Sequence, residues 1–408
     1  MHELRILLSG GGTAGHVLPH IAVLKALKKI GEEKLTRKTR EGKVKSSAAE
    51  KVAEVLLECA KKAKILHPPS VEQGKIFLYI GSKTGPEKAL AEQWGIPYQA
   101  IATGKWRRYL DFENILLNVR DLVRIKIGVF QAIFAVRRFK PDVIFSKGGY
   151  VSVPVLFAGW LLRVPIVIHD SDAIPGMTTR IVARFATKIC LGYKEAADYF
   201  KGEKMKAKIV VTGVPIREEI VKGTRAQGLK KSGLKGAKPI VLIMGGSLGA
   251  ERINVAVREA LPELLKKVEI LHITGKGKMD SLIKPENDKS SRLNKVKNEV
   301  GDRENTAKGA GKSGYRQIEY ANEDLADFYA MSDLIVSRAG ANSIAEIEAL
   351  HKPCILIPLG GKVSHGDQAA NAAIMRKRGK CWVIEDEELS GEKLLGAARS
   401  FCGKARKN

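Results

Sequence analysis

The sequence predicts an α/β protein built as two Rossmann-like domains, each a parallel sheet flanked by helices. Three observations carry that expectation. A strand, a glycine loop and an amphipathic helix open the chain over Leu4 to Leu27 (LRILLSGGGTAGHVLPHIAVLKAL). The same succession returns at Pro239 to Leu261 (PIVLIMGGSLGAERINVAVREAL), so the unit that binds phosphates at a strand–turn–helix junction occurs twice. The length of 408 residues also exceeds what one core usually holds. The expected division is 1–213 and 214–408, with Gly213-Val214-Pro215-Ile216-Arg217 as the crossing.

The first loop fits G-x-G-x-x-G through Gly10, Gly12 and Gly15, which suggests a dinucleotide turn. That reading needs an acidic residue after the second strand to hold a ribose. The next clear strand, Ile76 to Ile80, runs instead into Gly81-Ser82-Lys83, so NAD is disfavoured. His16 stands just past the glycines, at the sheet edge where open α/β folds place ligands, and an unperturbed imidazole can take a proton from a hydroxyl near pH 7. A capping or packing histidine explains the position as well.

Residues 32–73 are Lys-rich and poorly patterned apart from a helix-like Glu50 to Leu66, and read as an insertion or solvated appendage. From Gly104 to Lys140 come two helix-like pieces with nine basic and three acidic residues. Leu116, Leu117, Val119, Leu122 and Val123 are edged there by Arg120, Arg124 and Lys126, a pattern suited to a helix on an anionic bilayer or to a core helix with a basic outer face. Pro141 to Gly149 and Pro165 to Asp172 are strands ending in polar or glycine turns, the first followed by Tyr150, and both should face the same cleft as His16. Lys188 to Leu191 and Lys208 to Thr212 are further strands, and 276–316 reads as a long surface loop.

The most informative stretch is Asp333 to Asn371. A strand (Leu334 to Val336) leads into a small-residue turn (Ser337 to Asn342), a helix through Ala349, a second strand (Cys354 to Ile357) and a glycine-rich loop. Small residues let backbone N–H groups approach a phosphate, and Arg338 adds positive charge. Glu346 in that helix can accept from both hydroxyls of a ribose, which outlines a nucleoside-diphosphate site. An ordinary crossover with a solvent-facing Glu fits the same residues.

Composition narrows the partners. The longest apolar run, Val151 to Leu162, is too short to span a bilayer, and Met1 leads into a strand without a leader pattern, so a cytoplasmic protein is expected. Five scattered cysteines read as reduced thiols. A formal net charge of +26 fits nucleic acid, an anionic membrane or phosphorylated substrates. With 6% aromatic residues and no aromatic platform among the basic ones, nucleic acid is the least supported.

Six motifs in order, GGGTAGH, KGGYVS, GVPIR, GGSLGA, SRAGANSIAEI and the Asp367-Gln368 pair, make the chain resemble the MurG family. That family moves N-acetylglucosamine from UDP-GlcNAc to undecaprenyl-diphosphate-linked muramyl pentapeptide, turning lipid I into lipid II. The resemblance implies a GT-B fold with the donor held mostly by the C-terminal domain. It implies that Glu346 binds the ribose, that Gly246, Ser247 and the turn of Ala341, Asn342, Ser343, Ile344 and Ala345 face the diphosphate, and that Arg217 and Arg338 lie near the nucleotide. Uracil would meet the backbone near Ala321, and the sugar would meet Asp367, Gln368 and Asp172. Thr13, Ala14 and Gly15 would meet the sugar edge, and Gly11, Gly12, Gly149 and Tyr150 the acceptor, with His16 as general base. No Asp-x-Asp adjoins a glycine loop, and no obligatory metal or cofactor is expected.

The chain departs from the family at His169-Asp170-Ser171-Asp172, where HEQN is usual, at Ala14 for Gly, at Val214 for Asn, and in the short tail after Gly391, where the family has a helix returning to the N-terminal domain. Asp172 cannot donate to a sugar oxygen as Asn would unless protonated. The expected role is a peripheral transferase on the cytoplasmic face of the membrane. Its rivals are a UDP-sugar transferase for another lipid such as a diacylglycerol, a UDP-sugar epimerase, and a noncatalytic scaffold.

Overall fold

The computed structural model describes the chain apart from residues 1–3, 12–16, 36–45, 63–76, 105–111, 247–248, 280–313, 322, 361–365, 380 and 406–408, and apart from the side chains of 31–35, 112–115 and 402–405. It divides into two compact units, Met1–Arg217 and Glu218–Asn408. Among the described residues no helix is long and apolar enough to cross a membrane.

The first unit contains β1 (Ile6–Ser9), β2 (Phe77–Ser82), β3 (Tyr98–Ile101), β4 (Val143–Ser146), β5 (Ile166–Asp170), β6 (Lys188–Leu191) and β7 (Ile209–Val211). They form one parallel sheet in the order β3-β2-β1-β4-β5-β6-β7. β1 and β4 are buried at every position because helices cover both faces of a parallel sheet. One face packs on helix Leu18–Leu35 through Ile21, Val23 and Leu27, the other on helix Val153–Leu161 through Val155 and Leu156. The winding therefore reverses between β1 and β4, and open α/β sheets bind ligands at such a point, beyond the strands' carboxyl ends.

One expectation is corrected here. Helix Ala48–Lys62, inside the stretch read as an appendage, buries Val52, Ala53, Leu56 and Cys59 in the core and packs on Leu18–Leu35. Of the span 104–140 expected as two helical pieces, 105–111 lie outside the described residues and Phe112–Phe139 is one helix.

The second unit repeats the plan with β8 (Ile240–Met244), β9 (Glu269–Ile273), β10 (Tyr315–Ile318), β11 (Leu334–Arg338), β12 (Cys354–Ile357) and β13 (Cys381–Val383). Their order is β10-β9-β8-β11-β12-β13, again parallel. Helix Glu251–Leu264 follows β8 on one face, through Ile253 and Val257. Helix Ala341–Ala349 follows β11 on the other, through Ile344 and Ile347, so β8 and β11 flank the second switch point. The segment after Gly391 is itself a helix, Gly391–Ala405, which packs against Glu251–Leu264 and buries Leu394 and Ala398.

Candidate active site

At the second switch point the chain leaves β8 through Gly245 and Gly246 and leaves β11 through Ala339 and Gly340. Gly246 has φ +86°, and a Cβ built on it or on Gly340 meets no described atom within 4 Å, so backbone faces open space on both sides of the crevice. Helix Ala341–Ala349 starts there with no side-chain cap and no acidic residue in its first turn. Its leading N–H groups and positive dipole end suit an anion such as a diphosphate. Ala341, Asn342, Ser343, Ile344 and Ala345 all lie in those first turns, as the sequence implies.

Glu346 follows on the same helix and is buried, not solvent-facing. The Tyr329 hydroxyl donates to its Oε2 at 3.1 Å, which fixes the orientation of the carboxylate. A second helix converges on the turn. Asp367–Lys377 begins after Gly366 and is tied to it by Asn371, whose Nδ2 donates to the Ala339 carbonyl at 3.2 Å. At its start Gln368 Oε1 accepts from the Leu359 N–H at 3.0 Å, which pins the loop after β12. Asp367 Oδ1 is buried and has no hydrogen-bond partner among the described residues.

Arg338 ends β11 and its guanidinium is already engaged. It donates to Asp386 Oδ1 at 2.6 Å and to the Ile357 carbonyl at 3.3 Å, with both ion-pair side chains nearly buried (11% and 9% exposed). Arg252, in the helix after β8, reaches the same carboxylate at 3.8 Å. Asp386 thus braces the starts of both helices at the switch point, and a diphosphate contact from Arg338 would have to be shared with it. Ala321 is half-buried against the core cluster that contains Tyr329, and Ser247 lies outside the described residues.

In the first unit, the turns after β1 and β4 touch. Gly149 has φ +83°, and its Cβ would sit 2.5 Å from the Gly11 carbonyl oxygen, so only glycine fits at that contact. Tyr150 follows in a short helical turn, half-buried, with burial the chief cause of a raised phenol pKa. The Asp170 carboxylate accepts from the N–H groups of Asp172 (3.1 Å) and Gly176 (3.0 Å), so the first acid of HDSD shapes the loop and the second is the half-exposed one. Gly12, Thr13, Ala14, Gly15 and His16 lie outside the described residues. Arg217 closes the first unit. Among the described residues no three His, Cys, Asp or Glu side chains gather as a metal-ligating group.

Residues 70–191 match the glycosyltransferase family 28 N-terminal domain, and 240–404 match its C-terminal domain. A Bacillus cereus UDP-N-acetylglucosamine–N-acetylmuramyl-(pentapeptide) pyrophosphoryl-undecaprenol N-acetylglucosamine transferase is 39% identical over 391 residues, covering 96% of this chain and 89% of its own length. The chain belongs to the MurG family. Among solved structures, Acinetobacter baumannii MurG superposes with a TM-score of 0.59 at 22% identity, over 97% of this chain and 90% of that one. The UDP-GlcNAc 2-epimerase of Methanocaldococcus jannaschii gives 0.52 at 10% identity, over 98% and 92%. The fold is therefore GT-B, which transferases and epimerases share, and sequence identity selects the MurG family within it.

This MurG-family chain also carries a surface that the sequence only partly disclosed. Along helix Phe112–Phe139, Leu116, Val119, Val123, Ile127, Phe130 and Phe134 recur every three or four residues and are exposed, Phe130 at 74% and Phe134 at 66%. Leu122, Arg120, Arg124 and Lys126 lie exposed beside them, whereas Leu117 is half-buried. In the N-terminal turns the inward positions are polar, Asn118 and Asp121, whereas further along Ala132, Ala135 and Val136 pack into the core, so the helix carries an apolar outer stripe in addition to its buried face. Trp160 and Leu161 on the neighbouring helix Val153–Leu161 are exposed too. Ile127, Phe130, Phe134, Trp160 and Leu161 escaped the sequence reading. The helical spacing from Leu116 to Phe134 was the signal that could have found the first three.

Proposed function

We propose that this chain is an inverting transferase that moves N-acetylglucosamine from UDP-GlcNAc to the muramyl pentapeptide carried on undecaprenyl diphosphate, the lipid I to lipid II step of peptidoglycan synthesis. The observation that carries it is 39% identity across 96% of the chain to a transferase of that name. The second unit supplies a matching donor half: a helix start for the diphosphate, Glu346 for the ribose, and Asp367 with Gln368 for the sugar. His16 takes the proton from the acceptor hydroxyl as it attacks the anomeric carbon on the face opposite UDP, and the departing diphosphate is stabilised by backbone N–H groups. Those groups supply the positive field that the leaving group needs, so neither metal nor cofactor is assigned a role. Labelled GlcNAc should pass from UDP-GlcNAc to a short-chain lipid I analogue and not to diacylglycerol; transfer to diacylglycerol alone would replace this acceptor assignment.

We further propose that the exposed apolar stripe of Phe112–Phe139 lies on the anionic cytoplasmic leaflet, where the lipid-linked acceptor resides. A stripe of exposed apolar side chains on the outer face suits a helix whose outer medium is acyl chain, and each flanking Arg or Lys adds about 1 kcal/mol near an anionic surface. Phe130→Ser with Phe134→Ser should weaken binding to phosphatidylglycerol vesicles by roughly 10²- to 10⁴-fold, at about 1.5–3 kcal/mol per buried Phe. UDP-GlcNAc binding in solution should not change. Equal vesicle binding by both proteins would remove the helix from the interface.

A further inference from the structure

The carboxyl edge of the first sheet buries a lysine and a histidine that the transfer chemistry does not use. Lys147 follows β4 and His169 lies in β5, both almost wholly excluded from solvent. Lys147 Nζ is 2.7 Å from His169 Nδ1 and 2.5 Å from Ser171 Oγ. His169 Nε2 is 2.9 Å from the Gly213 carbonyl. A carbonyl oxygen only accepts, so Nε2 carries the proton and Nδ1 is left to accept from the ammonium. Burial and the neighbouring lysine both hold His169 well below the usual histidine range, in agreement with a neutral ring.

This arrangement fixes four consecutive residues. His169 and Ser171 are held by Lys147, while Asp170 holds Asp172 through its N–H. The loop that presents Asp172 is therefore set from β4, beside the touching glycine turns of Gly11 and Gly149. The edge also carries two carboxylates, Asp170 and Asp172, near the turn expected to receive an anionic diphosphate acceptor. Uncompensated, they would repel it.

We propose that Lys147 is a positioning residue for the acceptor: its buried ammonium, clasped by His169 and Ser171, fixes the Asp172 loop and offsets the charge of Asp170 and Asp172. The inference rests on the transferase reading and adds a specificity element on the acceptor side. In a transferase with this brace, acceptor recognition depends on Lys147 while recognition of the donor's uridine diphosphate, held by the second unit, does not.

The groups facing Lys147 define a pH signature. Burial draws its pKa down to about 8, with Asp170, Asp172 and the Cys190 thiol on β6 pulling the other way. Cys190 is itself pushed up to about 12 by burial, and His169 stays neutral, with His20 from helix Leu18–Leu35 adding to its depression. Between pH 7 and 9 Lys147 is the member of this set that changes charge. It is cationic and bracing below about pH 8 and neutral above.

The test compares wild type, Lys147→Met, Asp172→Asn and the double variant across pH 6.5 to 9.5. Three quantities are read: kcat/KM for a short-chain lipid I analogue, the Kd of UDP, and direct binding of a short-chain polyprenyl diphosphate. Lys147→Met should lower acceptor kcat/KM roughly 10- to 100-fold and move the Kd of UDP, which lacks the sugar, less than about twofold, and adding Asp172→Asn should recover most of the loss. Wild type should lose acceptor kcat/KM above about pH 8, a limb absent from the double variant. An equal effect on donor and acceptor, or no recovery in the double variant, would overturn the brace. If Lys147→Met does not fold, a wild-type acceptor profile flat through pH 9.5 decides against it equally. Polyprenyl-diphosphate binding judges the brace apart from turnover, so a wild type that binds but does not transfer refutes the reaction and leaves the brace to be scored on binding.

Discussion

Replacing His16 with Ala should lower GlcNAc transfer by roughly 10²-fold or more, the usual scale for loss of a general base, and leave UDP-GlcNAc affinity as it was. A sugar hydroxyl is a poor nucleophile until its proton leaves, and an imidazole with a pKa near 6.5 is ready to accept it at neutral pH. In wild type the rate should fall toward acidic pH, because a protonated ring no longer accepts; the variant should lack that acidic limb. Single-turnover rates at saturating UDP-GlcNAc make the comparison, and an unchanged rate rejects the assignment. His20 gives the contrast. Its ring is buried edge-on between Tyr79 and Phe145, at 5.4 and 5.0 Å, as a packing histidine would be.

Glu346→Ala should act on the other substrate. A ribose diol donating twice to a carboxylate makes two charge-assisted hydrogen bonds, each worth about 1.5–3 kcal/mol, so UDP and UDP-GlcNAc binding should weaken by roughly 10²- to 10⁴-fold. The acceptor KM should change little. The Tyr329 hydroxyl orients the carboxylate, and Tyr329→Phe keeps the ring and the charge while releasing that orientation, so a smaller loss is expected there. Calorimetric titration with UDP separates the two variants. Equal UDP affinity in wild type and Glu346→Ala would show that the ribose is held elsewhere.

Much of this was legible because each domain opens with the same physical device. An apolar strand, small residues and an amphipathic helix mark β1 and β8, and SRAGANSIAEI marks β11 with its helix, so both switch points were visible before the structure. Strands with polar interruptions were harder. β9 was missed because Glu269 and His272 interrupt its apolar pattern; both are buried and satisfied by distant partners. Glu269 accepts from the N–H groups of Lys235, Gly236, Ala237 and Lys238, and His272 pairs with Tyr315 and Asn254. No local window contains that information. Helix Ala48–Lys62 was legible as a helix within Glu50 to Leu66, but its Lys-rich surroundings suggested an appendage, and the burial of Val52, Leu56 and Cys59 against Leu18–Leu35 was not legible. Arg338 was legible as a charge beside the turn, but its commitment to Asp386, 48 residues on, was not.

Seated on the leaflet as proposed, helix Phe112–Phe139 with its exposed apolar stripe would change what concentration means for this protein. A catalyst resting on the leaflet that holds its lipid-linked substrate meets it by lateral diffusion, so the governing variable is molecules of acceptor per unit area of membrane. At a fixed amount of acceptor, adding inert anionic lipid then slows turnover by dilution in the plane, although nothing in the aqueous phase has changed. The soluble nucleotide sugar remains governed by its molarity, so the two substrates of one reaction obey rate laws of different dimension.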